Sequence, residues 1–453
     1  MRIWRSILIV LVLTGLGFGQ VKAPPNPPPD DRYKADILLV VAHPDDETEI
    51  AGYLARAIFD QHKRVAVIYG TRGNAGGNVV GQEQAAALGA VREIEARRAL
   101  ATLGIVNAWF LNGLDTPGQD VLRSLETWNH GASLDQVVRL VRLTRPEVIL
   151  SWLPDYVVGE NHGDHQASSV LATEAFDLAG DPTAFPEQVA PPRNRTAVGN
   201  LTEGLRVWQA KKIYYFSDTS HPDFLKGRGP KYSITEVSPS RHMPYNQIIA
   251  IEASEHLTQY GVGLVAKEAL AKGDFHALEA PTQFVFGKSV VPGSMTGDIF
   301  EGVTQAPAPF ATVPGYKPEP TAGLSLELGG PWAFYRRFWK AHNLDHLKDL
   351  VSPEAAAGAD GLLYVPLILT NDTDKDCSIT LQVSLPTQWV EKSGSGIYQV
   401  AARGSYSFTA VIAVPPGPSK QAEQVIWEQL SGGLAAGKVS LTVFPHQGSG
   451  LPQ

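Results

Sequence analysis

A single cysteine, Cys377, and three methionines are all the sulfur in a chain of 453 residues. One thiol closes no internal disulfide, so stability has to come from buried apolar core. A basic cluster is also missing. Lys and Arg number 38 against 46 Asp and Glu, the formal charge is −8 and the pI is near 5.9, which argues against nucleic acid as the main partner. There is no internal repeat and no glycine-rich phosphate loop. Long apolar runs are scarce as well. The "SILIVLVLTGLGF" stretch behind "MRIWR" is about 13 residues, short for a membrane span and right for a secretory h-region. The expectation is an exported protein, periplasmic or extracellular. A signal peptide over 1–22 precedes a stiff Pro-rich spacer over 23–32 ("PPNPPPDD"), and no membrane span remains after cleavage. A retained N-terminal anchor is the alternative.

What is present is length enough for two or more domains. A first domain is expected over 33–303; from about 33 to 220 short apolar runs alternate with helical patterns, the signature of βαβ units on a parallel sheet, and 221–303 are less regular. "ADILLVVA", "RVAVIYGT", "NAWFLN", "PEVILSW" and "KKIYYFS" read as strands, and "ETEIAGYLARAIFDQ", "QEQAAALGAVREIEARRALATLG" and "LDQVVRLVRLTRP" as helices between them. Gly104 stands where a helix C-cap belongs. The expected fold class is α/β, an open, doubly wound, Rossmann-like parallel sheet with helices on both faces. A Pro-rich linker covers 304–322. Residues 323–453 then open on an aromatic helix, "PWAFYRRFWKAHNLDHL", whose helical spacing points to interdomain packing. Short β-rich runs follow, from "GLLYVPLILTN" to "KVSLTVFP", and suggest an antiparallel, Ig-like sandwich.

The chemistry concentrates in two loops. "VVAHPDDETEI" at 40–50 sets His43, Asp45, Asp46 and Glu47 directly after the first strand. In an open α/β sheet the carboxyl ends of the strands border the ligand crevice. His43 and Asp46 flank a tight turn and can reach one cation. The fourth strand, "PEVILSW", runs through a loop into a helix entered by His162, Asp164 and His165. His43, Asp46 and His165 make a two-histidine, one-carboxylate set that leaves a position open for water, as catalytic zinc requires. Asp45 and His162 remain, one acid-base group from each loop. Either loop alone reads equally well as a helix N-cap or a polar surface turn; both after strands of one sheet favour a site. The same ligands also suit a non-haem Fe(II) oxygenase, and a catalytically silent carbohydrate-binding protein is a third reading. The oxygenase leaves Asp45 without a role, and a retired site would be free to lose it.

At these residues the chain resembles the PIG-L, or LmbE-like, deacetylases. "AHPDDE" at 42–47 and "HGDH" at 162–165 match that family's two motifs. The likeness continues through "TRGNAGG" at 71–77, the "VREIEARRALATLGI" helix with Arg92 and Glu95, "LNGLD" ending at Asp115, and "EHLTQYG" at 255–261. The resemblance implies one Zn2+ per chain, or another divalent ion, on His43, Asp46 and His165, and hydrolysis of the N-acetyl group of an N-acetylglucosamine-containing molecule. It implies Asp45 as general base, His162 as the group that stabilises the oxyanion or protonates the leaving amine, and Asp164 as a group orienting a histidine. Glu47, Arg92 and Asp115 are implied as substrate-binding residues. Asn74 replaces an acid common in the family and Gly163 a frequent proline. Elsewhere, Trp128 and His130 are expected to pack a loop rather than line a sugar cleft, "NDTDKD" at 371–376 to form a turn rather than a calcium site, and Cys377 to be a small buried residue.

Overall fold

The computed structural model describes residues 29–157, 161–190, 203–218, 222–259, 261–304, 323–350, 352–416, 422–431 and 434–445. The expected signal peptide, most of the spacer and the Pro-rich linker lie outside them. Strands β1 (Ile37–Val41), β2 (Val65–Tyr69), β3 (Asn107–Phe110), β4 (Val148–Trp152) and β5 (Lys212–Phe216) fall on the five expected runs. All but β3 are buried along their whole length, which is why they read as unbroken apolar runs rather than alternating ones. They are parallel, in the order β3-β2-β1-β4-β5. A sixth strand, β6 (Val285–Ser289), pairs antiparallel with β5 at the edge, so the sheet is mixed where a parallel one was expected.

Strand order reverses between β1 and β4, the switch point at which α/β sheets open a ligand crevice. Their neighbouring carboxyl ends carry the two charged loops. Helices cover both faces: α2 (Ala85–Thr102) and α6 (Tyr245–Ala253) on one side, α4 (His130–Thr144) and α5 (Gly163–Leu178) on the other. Leu38, Val40 and Ile149 face α4 and α5, while Ile37, Leu39, Val41 and Leu150 face α2 and α6. Gly104 sits past the end of α2 at φ +79°, the left-handed cap that only glycine adopts at no cost. The helix expected over 47–61 is broken into a 3₁₀ turn (Asp46–Ile50), α1 (Ala51–Ala55) and a π-type turn (Arg56–Asp60). Its first turn is distorted because Asp46 and Glu47 bend their carboxylates back onto the backbone of residues 42–45.

Beyond residue 323 two sheets share one core. One orders Glu354–Ala356, Leu434–Phe444, Glu423–Ser431, Cys377–Ser384 and Gly396–Val400; the other orders Val390–Ser393, Gly404–Ala413, Leu362–Asn371 and Leu324–Leu328. Every pairing is antiparallel except Glu354–Ala356 with Leu434–Phe444. The aromatic helix α7 (Gly330–Ala341) packs elsewhere. Its Tyr335, Phe338 and Trp339, followed by Leu344, Leu347 and Leu350, are buried in the core of the first layer beneath α5. The α/β core therefore runs on to Leu350, past the boundary drawn at 322. "NDTDKD" is a turn, closed by Asn371 Nδ2 on the carbonyls of Lys375, Val400 and Ala401. Cys377 is half-buried rather than buried. No helix among the described residues is long and apolar enough to cross a membrane.

Candidate active site

The chain leaves β1 at Val41 and turns at once. The backbone N–H groups of Ala42 and His43 donate to Asp46 Oδ2 at 2.8 and 3.0 Å, and Trp152 Nε1, at the end of β4, donates to the same oxygen at 2.7 Å. Three donors on one oxygen leave Oδ1 to face the crevice. It lies 3.6 Å from His43 Nδ1 and 3.3 Å from His165 Nε2. Nitrogen and oxygen ligands about 2.0–2.2 Å from a tetrahedral cation stand roughly 3.3–3.6 Å apart, so the three groups have the spacing of a ligand set. Burial opposes a charge on Asp46, but His165 and His43 outweigh it and hold the carboxyl well below its usual range. The indole of Trp152 stacks on the ring of His165, with centroids 4.1 Å apart and planes 3° from parallel, which fixes the ligand's orientation.

Behind His43 stands Asp164. Its Oδ2 is 3.3 Å from His43 Nε2 and accepts the Thr116 N–H at 2.9 Å, while its Oδ1 accepts the Thr116 hydroxyl at 2.7 Å. A carboxylate on the far nitrogen is the usual partner of a metal-ligating histidine, and it leaves Nδ1 for the cation. Asp115 Oδ1 lies 3.9 Å from the same nitrogen. Burial works against a proton on His43, yet Asp164, Asp46 and Asp115 raise its pKa well above the imidazole range. A proton fills this surplus of negative charge in the absence of a cation, and a divalent ion would displace it. The donor set thus fits zinc or a similar ion by spacing and by charge.

His162 caps α5. Its Nδ1 accepts the Asp164 N–H at 3.2 Å, so that nitrogen carries a lone pair and the ring's proton sits on Nε2. Burial first, and then the neighbouring His43, push its pKa down to about 4. The ring is therefore a neutral donor near pH 7. With 32% of its side chain exposed, against 16% for His43 and 11% for His165, it is the most open histidine of the site. Gly163 follows, and its N–H donates to Gly118 O at 2.9 Å. A proline there would forfeit that bond, which accounts for this departure from the family pattern.

Asp45 occupies the left-handed region at φ 113°, ψ −20°, a conformation costly for any residue but glycine and often found where function requires it. Burial and then the adjacent Asp46 raise its pKa to about 7, with His256 and His43 pulling it back. A general base works best with a pKa near the operating pH.

The three residues expected at the substrate are placed differently. Glu47 has no exposed surface; one oxygen accepts the Asp45 N–H and the other meets His256. Arg92 is buried, and its guanidinium donates to Gly73 O, Gly77 O and Thr258 Oγ1. It braces the loop over 71–77, with Asp45 and Asp115 among the charges acting on it. Asp115 accepts the Ala75 N–H with Oδ2 and keeps Oδ1 unpaired towards His43. Trp128 packs under the loop as expected, 3% exposed, with Nε1 on Leu114 O, and His130 pairs with Glu174. Trp152, Thr116 and Glu252, not singled out from the sequence, complete the site together with His256 and Gln259 of the quoted "EHLTQYG" segment. Trp152 closes a predicted strand and Thr116 follows Asp115, so position alone pointed to both.

Residues 38–176 match the family profile PIG-L, described as GlcNAc-PI de-N-acetylase. A 1D-myo-inositol 2-acetamido-2-deoxy-alpha-D-glucopyranoside deacetylase 1 of Catenulispora acidiphila is 27% identical over 220 residues, 45% of this chain and 62% of that protein. The protein of the same name from Frankia casuarinae is 29% identical over 297 residues, covering 59% of this chain and 94% of its own length. The chain thus spans less than two thirds of the first relative and nearly all of the second. Among solved structures, N,N'-diacetylchitobiose deacetylase from Pyrococcus horikoshii is similar at 17% identity and a TM-score of 0.38, over 56% of this chain and 84% of that one.

Proposed function

The chain carries a PIG-L domain over residues 38–176, and from that premise we propose that it is a metal-dependent amidohydrolase that removes the N-acetyl group from an N-acetylglucosamine-containing or related N-acyl sugar. The observation that carries this reading is the meeting, at the ends of β1 and β4, of a two-histidine, one-carboxylate set with two groups outside it, Asp45 and His162. A zinc ion on His43, Asp46 and His165 would supply a water of lowered pKa and polarise the scissile carbonyl. Asp45 takes the proton of the attacking water. His162 offers its Nε2–H to the carbonyl oxygen as negative charge develops there; a neutral imidazole can do this because Nδ1 is engaged by the Asp164 N–H. The protonated Asp45 is then the acid available to the leaving amine, since His162 has no second proton to give.

Relatives named for acting on a GlcNAc-inositol, together with the N-terminal sequence, suggest a small glycoconjugate met outside the cytoplasm, in the periplasm or beyond the cell. We read the C-terminal sheets as an accessory Ig-like sandwich joined through the linker. The test is acetate release by the zinc-loaded protein from N-acetylated mono- and oligosaccharides and from a GlcNAc-inositol. Release that is abolished by chelation and restored by zinc is the expected result. No release from any of them by a metal-loaded, folded protein overturns the reading.

A further inference from the structure

Three ionisable side chains near the site take no part in the mechanism above: Glu47, Glu252 and His256, each 0% exposed. His256 Nε2 lies 3.1 Å from Glu47 Oε1 and 3.7 Å from Glu252 Oε1, one turn back on α6. The other oxygen of Glu47 accepts the N–H of Asp45 at 3.0 Å. These contacts form one line: Glu252, His256, Glu47, then the backbone of the base. Three residues after His256, Gln259 Nε2 donates to Pro44 O at 2.5 Å. Between them, Thr258 gives its N–H and hydroxyl to Glu95. The short loop after α6 thus grips the Pro44–Glu47 turn from beneath at two points, while its middle is anchored to α2.

That turn needs a grip. Asp45 sits at φ 113°, and a non-glycine residue persists there only when its surroundings over-determine it, against a cost on the order of 1–3 kcal/mol. The hydrogen bond from the Asp45 amide to Glu47 is the one contact that acts directly on the strained residue's own N–H. Glu47 is short of the rotational freedom that would let it leave, provided Oε1 has a donor, and His256 is that donor.

We propose that His256 is a positioning residue: through Glu47 it holds Asp45 in its left-handed conformation and so sets the base beside the ligand group. Glu252 Oε1 approaches the same nitrogen at 3.7 Å, a charge attraction rather than a hydrogen bond. The assignment rests on the hydrolase reading for its catalytic consequence, but not for its structural one.

The test uses the full zinc-loaded chain and two variants. His256→Leu removes the donor; His256→Gln restores an N–H close to the position of Nε2. Amide hydrogen exchange at Asp45, followed by NMR, should speed at least tenfold in His256→Leu and return to near the wild-type rate in His256→Gln. Zinc content should be unchanged in both. In the acetate-release assay, kcat should fall ten- to a hundredfold in His256→Leu with KM within twofold, and recover to within a few-fold in His256→Gln. Unchanged Asp45 exchange in a folded His256→Leu overturns the proposal whatever the activity does. So does an equal loss of kcat in both variants. A wild type that releases no acetate, yet shows the exchange pattern, overturns the hydrolase reading and leaves the His256–Glu47–Asp45 linkage standing. Should His256→Leu fail to fold, Glu47→Gln gives the same readings with the Asp45 contact altered directly.

Discussion

Tyr335 Oη donates to Gln166 Oε1 at 2.7 Å, joining the aromatic helix of the C-terminal region to the residue next to His165. Gln166 Nε2 donates in turn to Asn161 O, next to His162, and to Gln119 O. Trp339 Nε1 caps Pro154 O at 2.9 Å, and His342 Nδ1 meets Asp177 Oδ2 at 2.7 Å. The helix is a strut under the histidine loop, buried along one face by Ala333, Tyr335, Phe338 and Trp339. Tyr335→Phe keeps the ring and removes only the donor, so it should cost about 1–3 kcal/mol, the penalty for a buried polar atom left unpaired. Chemical denaturation measures it.

A chain ending near residue 320, at the Pro-rich linker, loses more. Tyr335, Phe338, Trp339, Leu344, Leu347 and Leu350 all leave the α/β core. Each fully buried apolar side chain is worth about 1.5–3 kcal/mol, which together reaches the total stability of a typical domain. Such a truncation should be insoluble or show no cooperative thermal transition. A soluble, cooperatively folded product would mean that the helix packs onto a layer complete without it.

The metal ligands make a separate prediction. His43→Ala, Asp46→Ala and His165→Ala should each lose most of the bound divalent ion, read by atomic emission on purified protein. Asp45→Asn should retain it, since Asp45 lies outside the ligand set, and should lose on the order of a hundredfold in turnover. Full metal content in all three ligand variants would refute the assignment.

The buried parallel strands were legible because strands covered on both faces leave no polar alternation to confuse with a helix, and β1, β2, β4 and β5 were found to within two residues. The ligand loops were legible for the opposite reason: His43, Asp45, Asp46 and His165 put charge where packing would put apolar side chains. Strand β6 was missed because "VFGKS" carries Lys288, whose burial is made tolerable by an ion pair with Asp177 at 2.5 Å, a partner 111 residues away in sequence. The aromatic helix was recognised as an interdomain element but assigned to the wrong side of the boundary, since its spacing fixes its apolar face and not the core that receives it. Glu47 and Arg92 were expected at the substrate from resemblance alone, which carries neighbourhood but not burial or partners; both are buried and hydrogen-bonded within the protein.

The activity should rise with pH on a single limb. Asp45 must be ionised to accept a proton, and its pKa is raised to about 7 with no cation beside it; a bound divalent ion stabilises the carboxylate and brings the limb lower. His162, pushed down to about 4, is already neutral throughout this range and adds no falling limb near neutrality. His162→Ala should therefore lower kcat by roughly ten- to a thousandfold, as for loss of an oxyanion donor, without changing the shape of the profile from pH 6 to 8. A falling limb that disappears in His162→Ala would show instead that this ring works as an acid.

Stability should have a pH dependence of its own, set at the seam between the two regions. Asp155 is 3% exposed, its Oδ1 accepts the Tyr156 N–H, and its Oδ2 has no hydrogen-bond partner among the described residues. Burial raises its pKa from 3.8 to about 8. In the unfolded chain the group ionises near pH 4, while the folded chain keeps the proton until about pH 8. Between those values the folded state binds more protons than the unfolded one, so this residue's contribution to stability declines as pH rises through the window. Asp155→Asn keeps the acceptor for Tyr156 and carries no titratable proton. It should leave the melting temperature near pH 4 almost unchanged and raise it progressively towards pH 8, flattening the profile of the wild type. A variant whose melting temperature shifts equally at both ends would place the effect in packing rather than in ionisation of the carboxyl.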